Sequence, residues 1–167
     1  MNLTFSLPCI FLLLIPGWLT YTDQANGFSI QYPKDWAQMK QGNAVIFISP
    51  RADSNDMFRE NVNVILQDLS AQPMDLEQYG ALSRKQIIGM YGANAIISQG
   101  SAILAGQKAE CLTYNMSYNG RAEKIKSCWF IKSKMAYLFT YTAEPAQFTN
   151  YEKTATSLIN SFTFIRN

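Results

Sequence analysis

The chain has 167 residues, of which 48% are apolar and 13% aromatic, enough to build the packed core of one domain. Fourteen Lys and Arg against twelve Asp and Glu leave a net charge of +2, too weak and too scattered to indicate a nucleic-acid-binding protein. Histidine is absent, which excludes Ser-His-Asp and Cys-His catalysis, histidine-ligated zinc and the usual general base near neutral pH. The composition therefore favours binding over catalysis.

An apolar run, LPCIFLLLI at residues 7–15, lies near the start of the chain and is followed by Pro16-Gly17. A membrane-spanning helix needs roughly 20 apolar residues, so this shorter run predicts the hydrophobic part of a secretory signal. No Lys or Arg precedes the run, and no small-x-small cleavage site follows it. We assign residues 1–17 to a signal peptide or an uncleaved anchor, and we expect residues 18–167 to form a secreted or periplasmic domain.

Alternation of apolar and polar residues between turn signals predicts a series of short strands. The first half of the chain gives strands at residues 19–22, 28–32, 44–49 and 61–69, with an exposed polar loop at 50–60. The second half gives strands at residues 95–105, 109–118, 121–132 and 135–142, with turns at Gly106-Gln107, Asn119-Gly120 and Ser133-Lys134.

Two helices interrupt the strands. The first is predicted to begin after Asp75 as N-cap, with Gln78 as its capping-box partner, and to end at Gly92. The second is predicted to begin after Thr149 as N-cap, with Glu152 as the partner. Runs of strands with two segregated helices favour an α+β fold, an antiparallel β-sheet sandwiched by helices in an α/β/α arrangement.

Two cysteines remain in the mature domain, Cys111 and Cys128. Asn-Gly is the strongest two-residue hairpin turn, and counting back from Asn119-Gly120 places the two cysteines opposite each other at a non-hydrogen-bonded position. A cross-strand disulfide can form there, and disulfides persist in oxidising compartments. The alternative is a pair of reduced core cysteines.

Basic residues cluster around the same hairpin. The cluster is a candidate docking patch made of Arg121, Lys124, Lys126, Lys132 and Lys134. The alternative is an ordinary solvated face of an antiparallel sheet. No motif for phosphate binding, metal binding or nucleophilic catalysis occurs, so we expect no enzyme activity, no cofactor and no metal site.

Several segments resemble the PsbP-like domain family, which has the Mog/PsbP fold. The resemblance begins at GFSIQYPKDW (residues 27–36) and includes the preceding strand at 19–22, ENVNV at 60–64 and the G-x-x-A turn at 106–109. It continues through AYLFTYTAEP at 136–145, Phe148, Tyr151 and the closing Ser161-Phe162. These are turn and core residues, so they imply a fold and no specific site.

The resemblance implies docking to larger partners rather than catalysis. We therefore expect an extracytoplasmic domain that binds a protein or a membrane complex, with membrane contact only through the N-terminal segment if it stays uncleaved. The absence of histidine argues against the photosystem II or metal-binding roles of some relatives. Two alternatives remain open: a small-ligand- or metal-binding periplasmic protein, and a secretion chaperone for apolar segments.

Overall fold

Four consecutive strands joined by tight turns form the centre of the structure, a computed structural model that describes residues 15–165. These strands are β6 (Ile96–Leu104), β7 (Gln107–Tyr118), β8 (Arg121–Lys132) and β9 (Met135–Ala143). Each turn has two residues, and both have positive φ angles, as in the primed turns that suit the twist of a hairpin. The predicted turns at Asn119-Gly120 and Ser133-Lys134 are confirmed, whereas the first turn is Ala105-Gly106, one residue earlier than predicted.

The remaining strands extend this sheet and build a second one. Strands β3 (Ala37–Gln41), β4 (Ala44–Ile48) and β5 (Asn61–Asp68) complete a seven-stranded antiparallel sheet in the order β3-β4-β5-β9-β8-β7-β6. Strands β1 (Trp18–Asp23), β2 (Phe28–Pro33) and β10 (Thr163–Phe164) form a three-stranded antiparallel sheet with β2 in the middle.

One face of the large sheet carries the main core. Helix α2 (Phe148–Asn160) and the three-stranded sheet both pack against it. Phe162 connects the layers, because its ring lies 5.0 Å from the ring of Phe28 and 5.1 Å from that of Phe139. We call this the α2 face.

The opposite face, which we call the α1 face, is covered only in part. Helix α1 (Leu76–Tyr91) places Tyr79 and Ile87 in a second apolar cluster with Leu112 and Trp129. On strands β4 and β5, the side chains of this face, such as Ile46 and Asn63, remain partly exposed. The α+β class and the antiparallel sheet are confirmed. The α/β/α sandwich is supported only in part, because a second sheet shares one layer with α2 and α1 leaves much of the other face open.

Local sequence signals predicted the bounds of α1 correctly but failed for the start of α2 and for strand β3. Asp75 and Gln78 form the predicted capping box, and α1 ends before Gly92. The N-cap predicted at Thr149 is wrong, because α2 begins at Phe148 after Gln147 with no side-chain cap. Strand β3 was not predicted, since its sequence AQMKQ has almost no apolar alternation.

The predicted leader lies largely outside the described residues, which begin at Ile15. Gly17 precedes β1 directly, and its carbonyl accepts a hydrogen bond from the Lys34 amide at 3.2 Å. Among residues 15–165, no helix has the length and apolar character to cross a membrane.

A disulfide joins β7 to β8. Cys111 lies opposite Cys128 in the predicted register, with Cα atoms 4.1 Å apart, and the two sulfur atoms are bonded. The short Cα separation is typical of a non-hydrogen-bonded antiparallel pair.

Glu60 is a carboxylate buried immediately before β5, with only 2% of the residue exposed. Burial raises the pKa of Glu60, and the charges of Asp56 and Glu144 add to this effect. Hydrogen bonds from its own backbone and from Ser49 Oγ, at 3.4 Å, oppose the rise without cancelling it.

Replacing both cysteines by alanine should lower the free energy of unfolding by about 3 kcal/mol, because the disulfide closes a short loop in the unfolded chain. Urea unfolding of the Cys111→Ala/Cys128→Ala variant measures the loss. Dithiothreitol should destabilise the wild-type protein to a similar degree and leave the variant unchanged. An equal unfolding midpoint for oxidised wild type and variant would contradict the prediction.

Glu60→Gln should stabilise the protein relative to wild type more at pH 7.5 than at pH 4. Below the unfolded-state pKa of Glu60, near 4.3, the carboxyl group is protonated in both states. Above this pKa the unfolded chain ionises first, which lowers the free energy of the unfolded state and so destabilises the wild-type fold. Urea unfolding at the two pH values checks the sign, with the charge-matched Glu77→Gln, an exposed position on α1, as control. A stability difference that is independent of pH, or larger at pH 4, would disprove the role given to burial.

Candidate docking groove beside the disulfide

A groove of about 430 Å³ lies on the α2 face, between the end of the sheet and helix α2. Its volume falls in the range of about 300–1,000 Å³ found for small-molecule sites. The disulfide forms part of its floor. Strand β6 supplies one wall, and α2 supplies the other through Glu152, Thr156, Ile159 and Asn160.

An ion pair connects the sheet to α2 in this groove. Lys126 Nζ on β8 lies 3.0 Å from Glu152 Oε1 on α2, and both side chains are about one-third exposed. A partly solvated pair of this kind contributes at most about 1 kcal/mol to stability. The same contact explains why Glu152 does not cap α2, since its carboxylate points to Lys126 and not to the helix start.

The structure brings together only part of the predicted basic patch. Lys124 and Lys126 lie on the α2 face with Cys128, as the alternation of the strand requires. The Lys124 ammonium lies over the Phe148 ring, 4.3 Å from its centroid. These two lysines and the disulfide therefore form one continuous surface beside α2.

The other three residues of the patch lie elsewhere. Lys132 is eight residues from Lys124, or about 26 Å along β8, and its ammonium lies 3.7 Å from the centroid of the Phe164 ring. Arg121 lies on the α1 face, where its guanidinium contacts Glu123 at 2.9 Å and covers Phe58. Lys134 is exposed in the turn before β9. The length of β8 and its alternation separate residues that are neighbours in sequence.

Strand β6 is an edge of the seven-stranded sheet and borders the groove. Its pairing with β7 is regular from Ser98 to Leu104, after a bulge at Ile97. Because Leu104 and Gln107 close a two-residue turn, they form a hydrogen-bonded pair, and alternate residues turn their backbone groups toward the open edge. The residues with outward N–H and C=O groups are Gln99, Ser101 and Ile103.

The sequence of β6, IISQGSAIL, contains no charged residue and no proline. Natural proteins usually protect edge strands with charges, proline or short length. The opposite edge, β3, follows that rule, since it has five residues and carries Lys40, which pairs with Asp23 of β1 at 3.0 Å. The sequence alone shows that β6 lacks charged residues and proline. It does not show that β6 is an edge strand, because that position depends on the order of strands in the sheet.

A second, acidic hollow of about 200 Å³ lies where the loop at 50–60 meets α2. Asp53, Asp56, Glu60 and Glu144 contribute to its lining. Within the described part of the chain, no three His, Cys, Asp or Glu side chains are arranged to hold a metal ion.

Solved structures with the same fold come from several organisms. The chain is similar to cyanobacterial PsbP (CyanoP) from Synechocystis sp. PCC 6803, with a TM-score of 0.64, 14% identity, and coverage of 91% of this chain and 95% of that one. It is similar to LpqN of Mycobacterium tuberculosis, which is involved in cell envelope biogenesis, with a TM-score of 0.60, 16% identity and 83% coverage of both chains.

A more distant similarity is to the Ran-binding protein Mog1p of Saccharomyces cerevisiae, with a TM-score of 0.59 and 7% identity over 89% of this chain and 95% of that one. At these identities the similarity establishes the fold alone. None of the proteins with curated descriptions matches the sequence. The PsbP family matches residues 16–164, which confirms the predicted resemblance, and the chain belongs to the PsbP family.

Proposed function

We propose that this PsbP-family domain is a non-enzymatic, extracytoplasmic binding module for a protein, either free or part of a membrane complex. Its partner contributes an extended segment that pairs with the open edge of β6. The observation that carries this proposal is an edge strand of nine residues without charge or proline, next to a preformed groove.

Strand addition uses the backbone groups that β6 leaves unpaired. An extended peptide gains main-chain hydrogen bonds to an exposed sheet edge, and its alternate side chains enter neighbouring pockets. Here, every second side chain of an added strand would face the α2 side, where Ala102 and Leu104 line the groove beside the disulfide. Lys126 and Glu152 add one charge of each sign, which can select polar groups of the partner.

The disulfide supports an extracytoplasmic location, because such bonds persist in oxidising compartments. The apolar run at residues 7–15 is consistent with export. A role at the cell envelope also agrees with the involvement of the structural neighbour LpqN in envelope biogenesis.

A non-enzymatic role rests on the composition of the chain, which contains no histidine to act as general base or nucleophile partner. The groove contains an ion pair and a disulfide, and the remaining side chains that line it are hydroxyl, amide or apolar groups.

A small-ligand role for the same groove is the second candidate, favoured by its volume of about 430 Å³. A small ligand would occupy the groove without needing the β6 backbone, so a change at the strand edge distinguishes it from a peptide. A chaperone for apolar segments would work before export, and the redox state of the cysteines distinguishes it from an exported module.

Ser101→Lys should weaken partner binding at least tenfold, because a lysine at the centre of the β6 edge opposes pairing of another strand. A photo-crosslinker at Gln99, used on envelope fractions of the native host, measures capture of the partner. Met39→Lys, at the opposite sheet edge, is the matched control and should capture as much as wild type. We expect at least a tenfold lower yield of the same cross-linked protein with Ser101→Lys, corresponding to about 1.4 kcal/mol. Equal capture by the two lysine variants would exclude β6 as the docking edge.

Mass spectrometry of the natural protein tests its location. We expect a disulfide between Cys111 and Cys128, and a chain that either starts near Trp18 or keeps the leader as an anchor. A soluble protein with an intact Met1 and two free thiols would refute export and favour the chaperone.

A further inference from the structure

The open part of the α1 face contains another hollow, of about 390 Å³, between strands β4 and β5 and the loop at 50–60. Ile46, Ile48 and Asn63 form its floor, and Arg51, Arg59 and Arg121 surround it. We call it the arginine basin. It lies on the face of the sheet opposite the docking groove.

The basin has an excess of positive charge. Three arginines contribute to its lining, and no carboxylate of the described residues does. Arg121 is neutralised by Glu123, but Arg51 and Arg59 have no carboxylate within ion-pair distance among residues 15–165. An anionic group placed here would therefore gain charge-assisted hydrogen bonds without displacing an existing ion pair of Arg51 or Arg59.

Two of the arginines are held in place by the protein. Arg59 Nε donates a hydrogen bond to the Ser49 carbonyl at 2.6 Å, an anchor that leaves its Nη groups available to a ligand. The guanidinium of Arg121 lies 4.4 Å from the centroid of the Phe58 ring, in cation–π geometry. A planar guanidinium group matches phosphate geometry bidentately, and three such groups around one hollow suit the several oxygen atoms of a phosphate.

The remaining surface of the basin suits an apolar group. Ile46 and Ile48 are partly exposed on the floor, and Met57 on the loop is 83% exposed. Exposed apolar side chains close to a charged rim mark interaction sites. The ligand that matches both parts carries an anionic head and a short apolar tail.

One polar atom on the floor lacks a partner. Asn63 Oδ1 is buried and accepts no hydrogen bond from residues 15–165. A buried acceptor without a donor is costly, so a ligand hydroxyl that the Asn63 amide turns to meet would add affinity.

We propose that the arginine basin binds a phosphate monoester that carries a hydroxyl group and an apolar tail, as in a single-chain glycerophosphate lipid. The guanidinium groups bind the phosphate, Asn63 accepts a hydrogen bond from the hydroxyl group, and the tail lies against Ile46, Ile48 and Met57. This site is independent of strand addition at β6.

Isothermal titration of the full chain with 1-octanoyl-glycerol 3-phosphate tests the proposal. We expect saturable binding with one site, and at least tenfold weaker binding of glycerol 3-phosphate, which lacks the tail, and of octanoylglycerol, which lacks the phosphate. Equal affinity for inorganic phosphate, or binding only to anionic vesicles and not to the monomeric lipid, would overturn it.

Variants locate the binding to the basin. Arg51→Gln should weaken binding about tenfold and Arg51→Gln/Arg59→Gln about a hundredfold, as expected for lost charge-assisted hydrogen bonds. Lys34→Gln/Lys85→Gln removes the same charge from exposed sites elsewhere and should leave affinity unchanged. Arg51 is exposed, so its variant keeps the test valid if the double variant fails to fold. Equal losses in the two double variants would show only nonspecific attraction.

Discussion

The register of the β7–β8 hairpin is the constraint on which the rest of the structure depends. Asn119 and Gly120 adopt the positive φ angles of a two-residue turn, and this turn places Cys111 opposite Cys128. The same register determines which face each side chain occupies and which backbone groups of β7 remain for β6. A shift by one residue would separate the cysteines and move Phe130 out of the core.

The alternation of β8 also explains how one short segment serves two faces. Lys124 and Lys126 lie beside the disulfide and α2, whereas Arg121 joins Arg59 and Arg51 on the other side of the sheet. The domain thus carries two separate surfaces. One offers backbone groups and a groove next to an open edge, and the other offers guanidinium groups around an apolar floor.

Much of the fold could be predicted because its signals are local. The Asn119-Gly120 turn and the Asp75 capping box each depend on residues close in sequence, and both were found. The start of α2 was misplaced because contacts with the sheet compete with the local signal: Tyr141 of β9 donates a hydrogen bond to the Phe148 carbonyl at 2.7 Å, and Lys126 of β8 engages Glu152, the predicted capping partner. Gly42-Asn43 is a two-residue turn signal that joins β3 to β4. Strand β3 was nevertheless missed, because its own sequence is polar.

The candidate sites were harder to predict than the fold. The basin joins Arg51 and Arg59 to Arg121, which is more than sixty positions away in sequence, and only the sheet order β4-β5-β9-β8 connects them. The open edge of β6 follows from the same order. The sequence shows that β6 has no charge, but nothing in it shows that β6 is the last strand of this sheet among the described residues.

Amide hydrogen exchange along β6 tests the central claim most directly. In the isolated domain, the amides of Gln99, Ser101 and Ile103 should exchange quickly, while those of Ser98, Gly100 and Ala102, which face β7, stay protected. Adding the captured partner should slow exchange at the first three amides. Protection of all six in the isolated domain, or no change at the outward amides on binding, would contradict strand addition at this edge.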